Sequence, residues 1–275
     1  MINIYGRPGF ISPGQINTPG RRGARCDRAC GYAVAVLPVS CLPDRKKMFE
    51  KVVPVKSSKW LSALMSLVIA LVVLAGAIAV PILCRPFYYA HIEALGLAEG
   101  TGLSREQIIE AYDQVLDYCT GRTEQFSAGI LPFSPSGESH FADVQGLFLL
   151  DLRILGLGAV ALVLLLVVCR WRKIRPCPLG GHGPGFWAAA GLAVVFLVIG
   201  GMAALDFDRA FTIFHTLFFP GKDNWIFDWR VDPVILILPQ EFFRNCAVLI
   251  LVLLLLWCAV LIFADLWVGH RRKRT

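Results

Sequence analysis

Two histidines carry the chemical interest of this chain. His140 sits in Ser139-His-Phe-Ala-Asp143-Val, and His215 in Phe214-His-Thr-Leu-Phe218-Phe219. Each lies in an aromatic and acidic stretch just outside a long apolar run. Imidazole, with an unperturbed pKa of ~6.5, takes up and releases protons near neutral pH. Two such rings on one side of a membrane suit proton-transfer chemistry. Asp143 follows His140 by one helical turn, where its carboxylate would fix the ring's tautomer or orient it. A lone histidine in a membrane protein is more often a structural hydrogen-bond partner, so the pairing is what favours catalysis. His91, His182 and His270 lack comparable surroundings and are assigned no role.

The commonest catalytic designs are missing. The chain has no Gly-x-Ser-x-Gly elbow, phosphate-binding loop, dinucleotide fingerprint or His-Glu-x-x-His zinc motif. With no nucleophile in evidence, the attacking group would belong to the substrate, and the protein would supply base, acid and positioning.

The elements that must hold these residues are membrane helices. The chain has 275 residues, 56% of them hydrophobic and only 17% charged, which is too apolar for an ordinary soluble domain. Four runs approach the ~20 residues that span a bilayer: Trp60 to Leu83, Leu147 to Cys169, Gly185 to Leu205 and Cys246 to Trp267. The expected fold is an α-helical integral membrane protein, with four transmembrane helices and a small extracellular domain formed by loops 84–146 and 206–245.

The net charge of +7 matters through its placement. Arg45, Lys46, Lys47, Lys51, Lys56 and Lys59 precede the first span; Arg170, Arg172, Lys173 and Arg175 fill the short middle loop; Arg271, Arg272, Lys273 and Arg274 end the chain. These segments are therefore read as cytoplasmic, along with both termini, and the acidic longer loops as facing outward. The basic excess reflects orientation and inner-leaflet lipid rather than nucleic acid.

Residues 1–47 read as a disordered Gly-, Pro- and Arg-rich leader, with Met48 a plausible true start. Residues 48–268 form the four-span core with its loops, and 269–275 a basic tail. The first span exceeds the ~7–15-residue apolar region of a signal peptide and is expected to be retained. None of the nine cysteines has metal-ligand spacing, and no cofactor is expected. Cys84 and Cys119, both on the outer side, are a candidate disulfide pair.

Within the outer loops, Pro86-Phe-Tyr-Tyr89 reads as an interfacial aromatic belt. Residues 104–119 read as an amphipathic helix capped by Ser104, with Gln107 three residues on. A Pro- and Ser-rich turn at 131–137 precedes a helix that starts near Ser139 and continues into the second span, linking site to membrane. Asp151, eleven residues after His140, faces either the bundle interior or Arg153 at the interface. Phe207, Phe211, Phe214 and Phe218 recur at helical spacing and define an interfacial helix that presents His215. The apolar run before Pro239 is either a short strand or a re-entrant segment.

Taken together, Ser139–Val144, the Phe214-His215-x-x-Phe-Phe219 stretch and Asp223-Asn-Trp-x-Phe-Asp228, leading to Asp232-Pro-Val-Ile-Leu-Ile-Leu-Pro239, resemble the lipoprotein intramolecular transacylase family of Gram-positive bacteria. The resemblance covers about residues 48–268 and is most specific at 214–243. It implies transfer of an acyl chain from the sn-2 position of the diacylglyceryl group on a lipoprotein's N-terminal cysteine to that cysteine's α-amino group. The family's two catalytic histidines correspond to His140 and His215. Diacylated lipoproteins and membrane lipid are the implied partners.

Aminolysis of an ester needs a deprotonated amine, a stabilised oxyanion and a proton for the departing glycerol oxygen. Two histidines, with Asp143 orienting His140, can carry the proton traffic, which contributes ~10²–10⁴-fold per step. Phe211, Phe214, Phe218 and Trp225 would hold the acyl chain, with Asn224 and Asp228 among the polar groups around the substrate. Candidate oxyanion donors are backbone amides in 220–225 or the Trp225 and Asn224 side chains. Two other readings compete. One is a metal-dependent lipid hydrolase using His140, Asp143, His215 and one of Asp223, Asp228 or Asp232. The other is a non-enzymatic scaffold or transporter.

Overall fold

The computed structural model describes residues 57–274. The leader, with Cys26, Cys30, Cys41 and the basic residues up to Lys56, lies outside the described residues. In chain order the elements are β1 (Ser57–Ser58), α1 (Lys59–Leu83), α2 (Arg85–Ala94), α3 (Leu97–Thr101), α4 (Arg105–Cys119), α5 (Pro135–Arg172), β2 (Arg175–Pro176), α6 (Pro184–Leu205), α7 (Phe207–Phe218), α8 (Val234–Ile237) and α9 (Gln240–Arg274).

Four of the described helices, α1, α5, α6 and α9, are long and apolar enough to cross a membrane. Helix α1 is the hub, packing on α5, α6 and α9, while α6 also packs on α9. Small residues allow the close crossings, because hydrocarbon gives no hydrophobic drive between helices and contact area must come from backbone approach. A Cβ on Gly158 would stand 2.8 Å from Val72 of α1, and one on Gly200 2.6 Å from Leu251 of α9. The outer surfaces expose Leu157, Val163, Leu197 and Val252, as lipid-facing helices should.

At one end of the bundle the link between α5 and α6 is tied down. β1 pairs in parallel with β2, Ser62 Oγ donates to the Cys177 carbonyl at 2.6 Å, and His182 Nδ1 meets Asp265 Oδ2 of α9 at 2.8 Å. At the other end α2, α3, α4 and α8 form a small helical layer with a core of its own. Its centre is Tyr88, stacked on Tyr112 with ring centroids 3.6 Å apart. The Tyr88 hydroxyl donates to the Ile237 carbonyl at 2.7 Å. Arg85 bridges Asp113 at 2.9 Å and Asp117 at 2.5 Å, tying α2 to α4.

Helix α4 begins as its sequence predicts: Gln107 N–H donates to Ser104 Oγ, and Ser104 N–H to Gln107 Oε1, a reciprocal capping box. Four expectations are corrected. The Pro86–Tyr89 stretch is not an interfacial belt, because it folds into α2 and buries Tyr88 completely. The run before Pro239 is neither strand nor re-entrant segment. It is the single helical turn α8, which starts after Pro233, ends before Pro239, and buries Val234 and Ile237 against α3 and α4. Cys84 and Cys119 are not bonded: Cys84 is exposed at the end of α1, while Cys119 is buried with its Sγ on the Phe141 carbonyl. Helix α5 starts at Pro135, not near Ser139, and runs unbroken into the membrane.

Candidate active site

The early start of α5 comes from a carboxylate far away in sequence. Ser134 caps the helix by accepting from Gly137 N–H at 3.0 Å. Buried Asp232 in turn accepts from Ser134 N–H at 2.7 Å and Oγ–H at 2.8 Å. Gly137 is required there, since a Cβ would run into Asp232 Oδ1 and meet Phe227 at 3.3 Å. One turn further on, the helix presents His140. On the neighbouring side Asp206 caps α7 by accepting from Arg209 N–H at 2.9 Å, and α7 presents His215.

The two imidazoles meet with ring centroids 5.9 Å apart. His140 is 6% and His215 7% exposed. His140 packs edge-on against Phe219 and Phe227 at 5.1 and 5.4 Å, and Trp225 stacks on His215 at 4.6 Å. Phe211 and Phe214 contact the His215 ring at 4.3 and 5.4 Å. Phe218 rests on Phe214 at 4.7 Å, and both leave nearly half their surface open along α7.

The tautomer of His215 follows from its partner. Its Nδ1 lies 2.8 Å from the Phe211 carbonyl, which can only accept, so Nδ1 carries the proton and Nε2 of the neutral ring keeps its lone pair. His140 Nδ1 is buried with no hydrogen-bond partner. The apolar part of α5 begins at Leu147, so this ring stands outside the spanning segment. Burial pushes its pKa down to about 4, and the nearby His215 and Lys222 act in the same direction against Asp143. His215 is also held below the ordinary imidazole value by burial, against the Phe211 hydrogen bond. Both rings are therefore neutral at pH 7.

Asp143 does not hydrogen-bond His140. Its Oδ1 accepts from Lys222 Nζ at 2.6 Å and its Oδ2 from Asn224 Nδ2 at 3.1 Å. Burial favours its protonated form, but the hydrogen bonds from Lys222 and Asn224 outweigh this and hold the carboxyl below the usual carboxylate range. Asp143 thus pins the 219–226 turn to α5. Both side chains considered as oxyanion donors are engaged elsewhere. Trp225 Nε1 donates to the Lys222 carbonyl at 3.1 Å, and Asn224 Nδ2 faces Asp143 and Ser139.

Asp228 lies outside this cluster: its Oδ1 accepts from Arg230 N–H, and its carbonyl from Val231 and Asp232. Asp151 makes no ion pair with Arg153, and its Oδ2 is buried and unpartnered. It lies on the face of α5 that meets α1 through Leu155 and Gly158, which favours the bundle-interior alternative. Of the carboxylates in the metal reading, Asp143, Asp228 and Asp232 hydrogen-bond to other partners, and Asp223 is exposed. Among the described residues no group of three metal-ligating side chains converges.

Sequence reasoning missed Phe219, Phe227, Lys222 and the clamping role of Asp232. The Phe219 and Lys222 positions flank the turn Pro220-Gly221, where a positive φ of 74° at Gly221 reverses the chain over the histidines. That glycine was the available signal.

Fold and site define a class: a four-helix integral membrane protein with a buried, neutral histidine pair where two of its membrane helices emerge. A family model described as "Lipoprotein intramolecular transacylase Lit" matches residues 63–243, and the chain belongs to that family of acyltransferases. No curated protein matches the sequence. Among solved structures, the membrane integral lipoprotein intramolecular transacylase Lit from Bacillus cereus is similar at 22% identity and a TM-score of 0.69, over 78% of this chain and 96% of that one. A histidine-to-arginine variant of that protein matches at 22% identity and 0.64, over 78% and 92%. A histidine-to-alanine variant matches at 21% and 0.65, over 78% and 95%.

Proposed function

We propose that this protein moves an acyl chain from the sn-2 oxygen of the diacylglyceryl group on a lipoprotein's N-terminal cysteine to the α-nitrogen of the same cysteine, with His140 and His215 as its catalytic residues. The reaction takes place at the outer face of the membrane, with both termini inside. The basic residues beside Arg172 and at the chain's end, and the acidic balance of the longer loops, support this orientation.

The single observation that carries the reading is the facing pair of buried rings, with His215 Nε2 unprotonated and free. The α-amine donates one proton to His215 Nε2 as its nitrogen attacks the ester carbon. A ring N–H of neutral His140 stabilises the developing oxyanion, a task for which a histidine held neutral by burial is suited. When the tetrahedral intermediate collapses, the C–O bond to glycerol breaks and His215 returns the proton to the leaving oxygen. A C–N bond replaces a C–O bond, and no water or cofactor is consumed. Because amine and ester belong to one molecule, holding them in register supplies much of the rate. The half-exposed Phe214 and Phe218 rings on α7 offer the acyl chain an apolar track from the bilayer to His215.

The test is tandem mass spectrometry of N-terminal lipopeptides from a host that makes only diacyl lipoproteins, with and without this protein. Intramolecular transfer leaves the mass unchanged, so the fragments must locate the acyl chain on nitrogen. An N-acyl, lyso-glyceryl product that vanishes with His140→Ala or His215→Ala is expected. Unchanged O-diacyl peptides, with the protein confirmed in the membrane, would sink the reading.

A further inference from the structure

A buried polar atom with nothing to bond to sits beside the histidine pair. Asn224 Oδ1 is sealed from solvent and has no hydrogen-bond partner, an arrangement that is unfavourable unless a ligand completes it. The orientation of this amide is not arbitrary. An ionised carboxylate only accepts, so the group facing Asp143 Oδ2 at 3.1 Å must be the Asn224 NH2. The same nitrogen lies 3.4 Å from Ser139 Oγ. Oδ1 is therefore the atom turned the other way, and it can only accept.

Asn224 is tied to the neighbours of both rings. Ser139 and Asp143 flank His140 on α5, one residue before it and one turn after. The residue following Asn224 is Trp225, which stacks on His215. Lys222, two residues earlier, anchors the other oxygen of Asp143 at 2.6 Å, so the amide is held from both sides. Two acceptors beside Trp225 and the rings are then left without a donor, Asn224 Oδ1 and the His215 Nε2 lone pair. Together they suit a ligand that donates two hydrogens from one small atom, as a primary amine does and an ester, an alcohol or a thioether does not.

Resting on the transacylase reading, we infer that Asn224 Oδ1 is the acceptor that holds the second N–H of the substrate's α-amino group. This aims the nitrogen lone pair at the ester carbon while His215 takes the first proton. Asn224 is thus the residue that makes the site specific for a primary amine. Asp143 and Lys222 are positioning residues that fix the amide's orientation.

The test uses the full-length protein in phospholipid vesicles with two synthetic diacylglyceryl-cysteinyl peptides, one with a free primary α-amine and one N-methylated. An N-methyl amine has a single N–H, which must go to His215. The wild-type protein is expected to prefer the primary amine by roughly tenfold in kcat/KM, the value of one buried hydrogen bond. In Asn224→Leu, which removes the oxygen and also the NH2 donated to Asp143, both rates should fall, the primary-amine rate by about tenfold more than the N-methyl rate, so that the preference is lost. Asn224→Ala serves if the leucine variant does not assemble in the membrane. If the preference survives in both variants, or collapses because the N-methyl substrate speeds up, the discrimination is steric and the inference is overturned. If the wild-type protein turns over neither peptide, the transacylase reading itself has failed, and that outcome is separate.

Discussion

Removing the carboxylate of Asp232 should loosen the site without touching a histidine. Asp232 is 5% exposed and spends both oxygens on one residue, Ser134, at 2.7 and 2.8 Å. Hydrogen bonds to a charged partner are worth ~1.5–3 kcal/mol each, and an N-cap contributes ~1. The desolvation of a buried carboxylate offsets part of this. In Asp232→Ala the part-buried Ser134 N–H is left unpaired, and the serine loses the contact that aims its oxygen at Gly137. The net loss is about 3 kcal/mol, which lowers the melting temperature by roughly 6–12 °C at ~2–4 °C per kcal/mol for a chain of this size. Asp232→Asn keeps one acceptor and should lose less than half as much. Because Ser134 stands less than two turns from His140 at the head of α5, Asp232→Ala should also reduce acyl transfer. The assay is thermal unfolding of purified protein in one detergent, paired with lipopeptide mass spectrometry. Melting of Asp232→Ala within about 2 °C of wild type would refute the clamp, since that is less than one kcal/mol by the same conversion.

The acid limb of kcat/KM should break near pH 8, where the free α-amine titrates, rather than near 6.5. Burial holds both imidazoles below their ordinary value, His140 at about 4, so the amine is the first of the three groups to protonate as the pH falls. A break at ~6.5 would show that a histidine keeps its unperturbed value. Tyr88→Phe removes the donor to the Ile237 carbonyl and should cost ~1–3 kcal/mol of stability while leaving activity largely intact, read by melting and product analysis together. A membrane-impermeant maleimide should label Cys84 in the native protein and Cys119 only after denaturation. Protection of both until reductant is added would restore the disulfide.

What the sequence made legible follows physical range. The four spans could be read because apolar length is a local property, and α4 because Ser104 and Gln107 cap it from within four residues. The period of Phe207, Phe211, Phe214 and Phe218 likewise gave α7 its extent. The start of α5 was misplaced because the group that selects Ser134 over Ser139 arrives 98 residues later, as Asp232. Along the helix alone, Asp143 has His140 as its neighbour. Its stronger partners, Lys222 and Asn224, reach it only once the chain has turned at Gly221. The α8 run was ambiguous because its apolar residues lie between two prolines, too few to show a period. Tyr88 looked like a membrane-interface residue because a tyrosine near a span end has the same composition whether it meets lipid or another tyrosine.

Helix α5 is one unbroken rod of 38 residues, some 57 Å at ~1.5 Å per residue, while His215 is carried by α7, which joins α6 through the single residue Asp206. The two rings therefore ride on different helices, joined through the 219–226 turn that Asp143 pins to α5. A helix longer than its bilayer accommodates by tilting, and His140 lies ~27 Å along the rod from mid-span. A change of about 5° in the tilt of α5 alone would carry His140 ~2 Å sideways by the same lever, a large fraction of the 5.9 Å between the rings. Membrane thickness thus becomes a setting of the distance between the two imidazoles, and lipids of different chain length would shift that distance from outside the helix bundle.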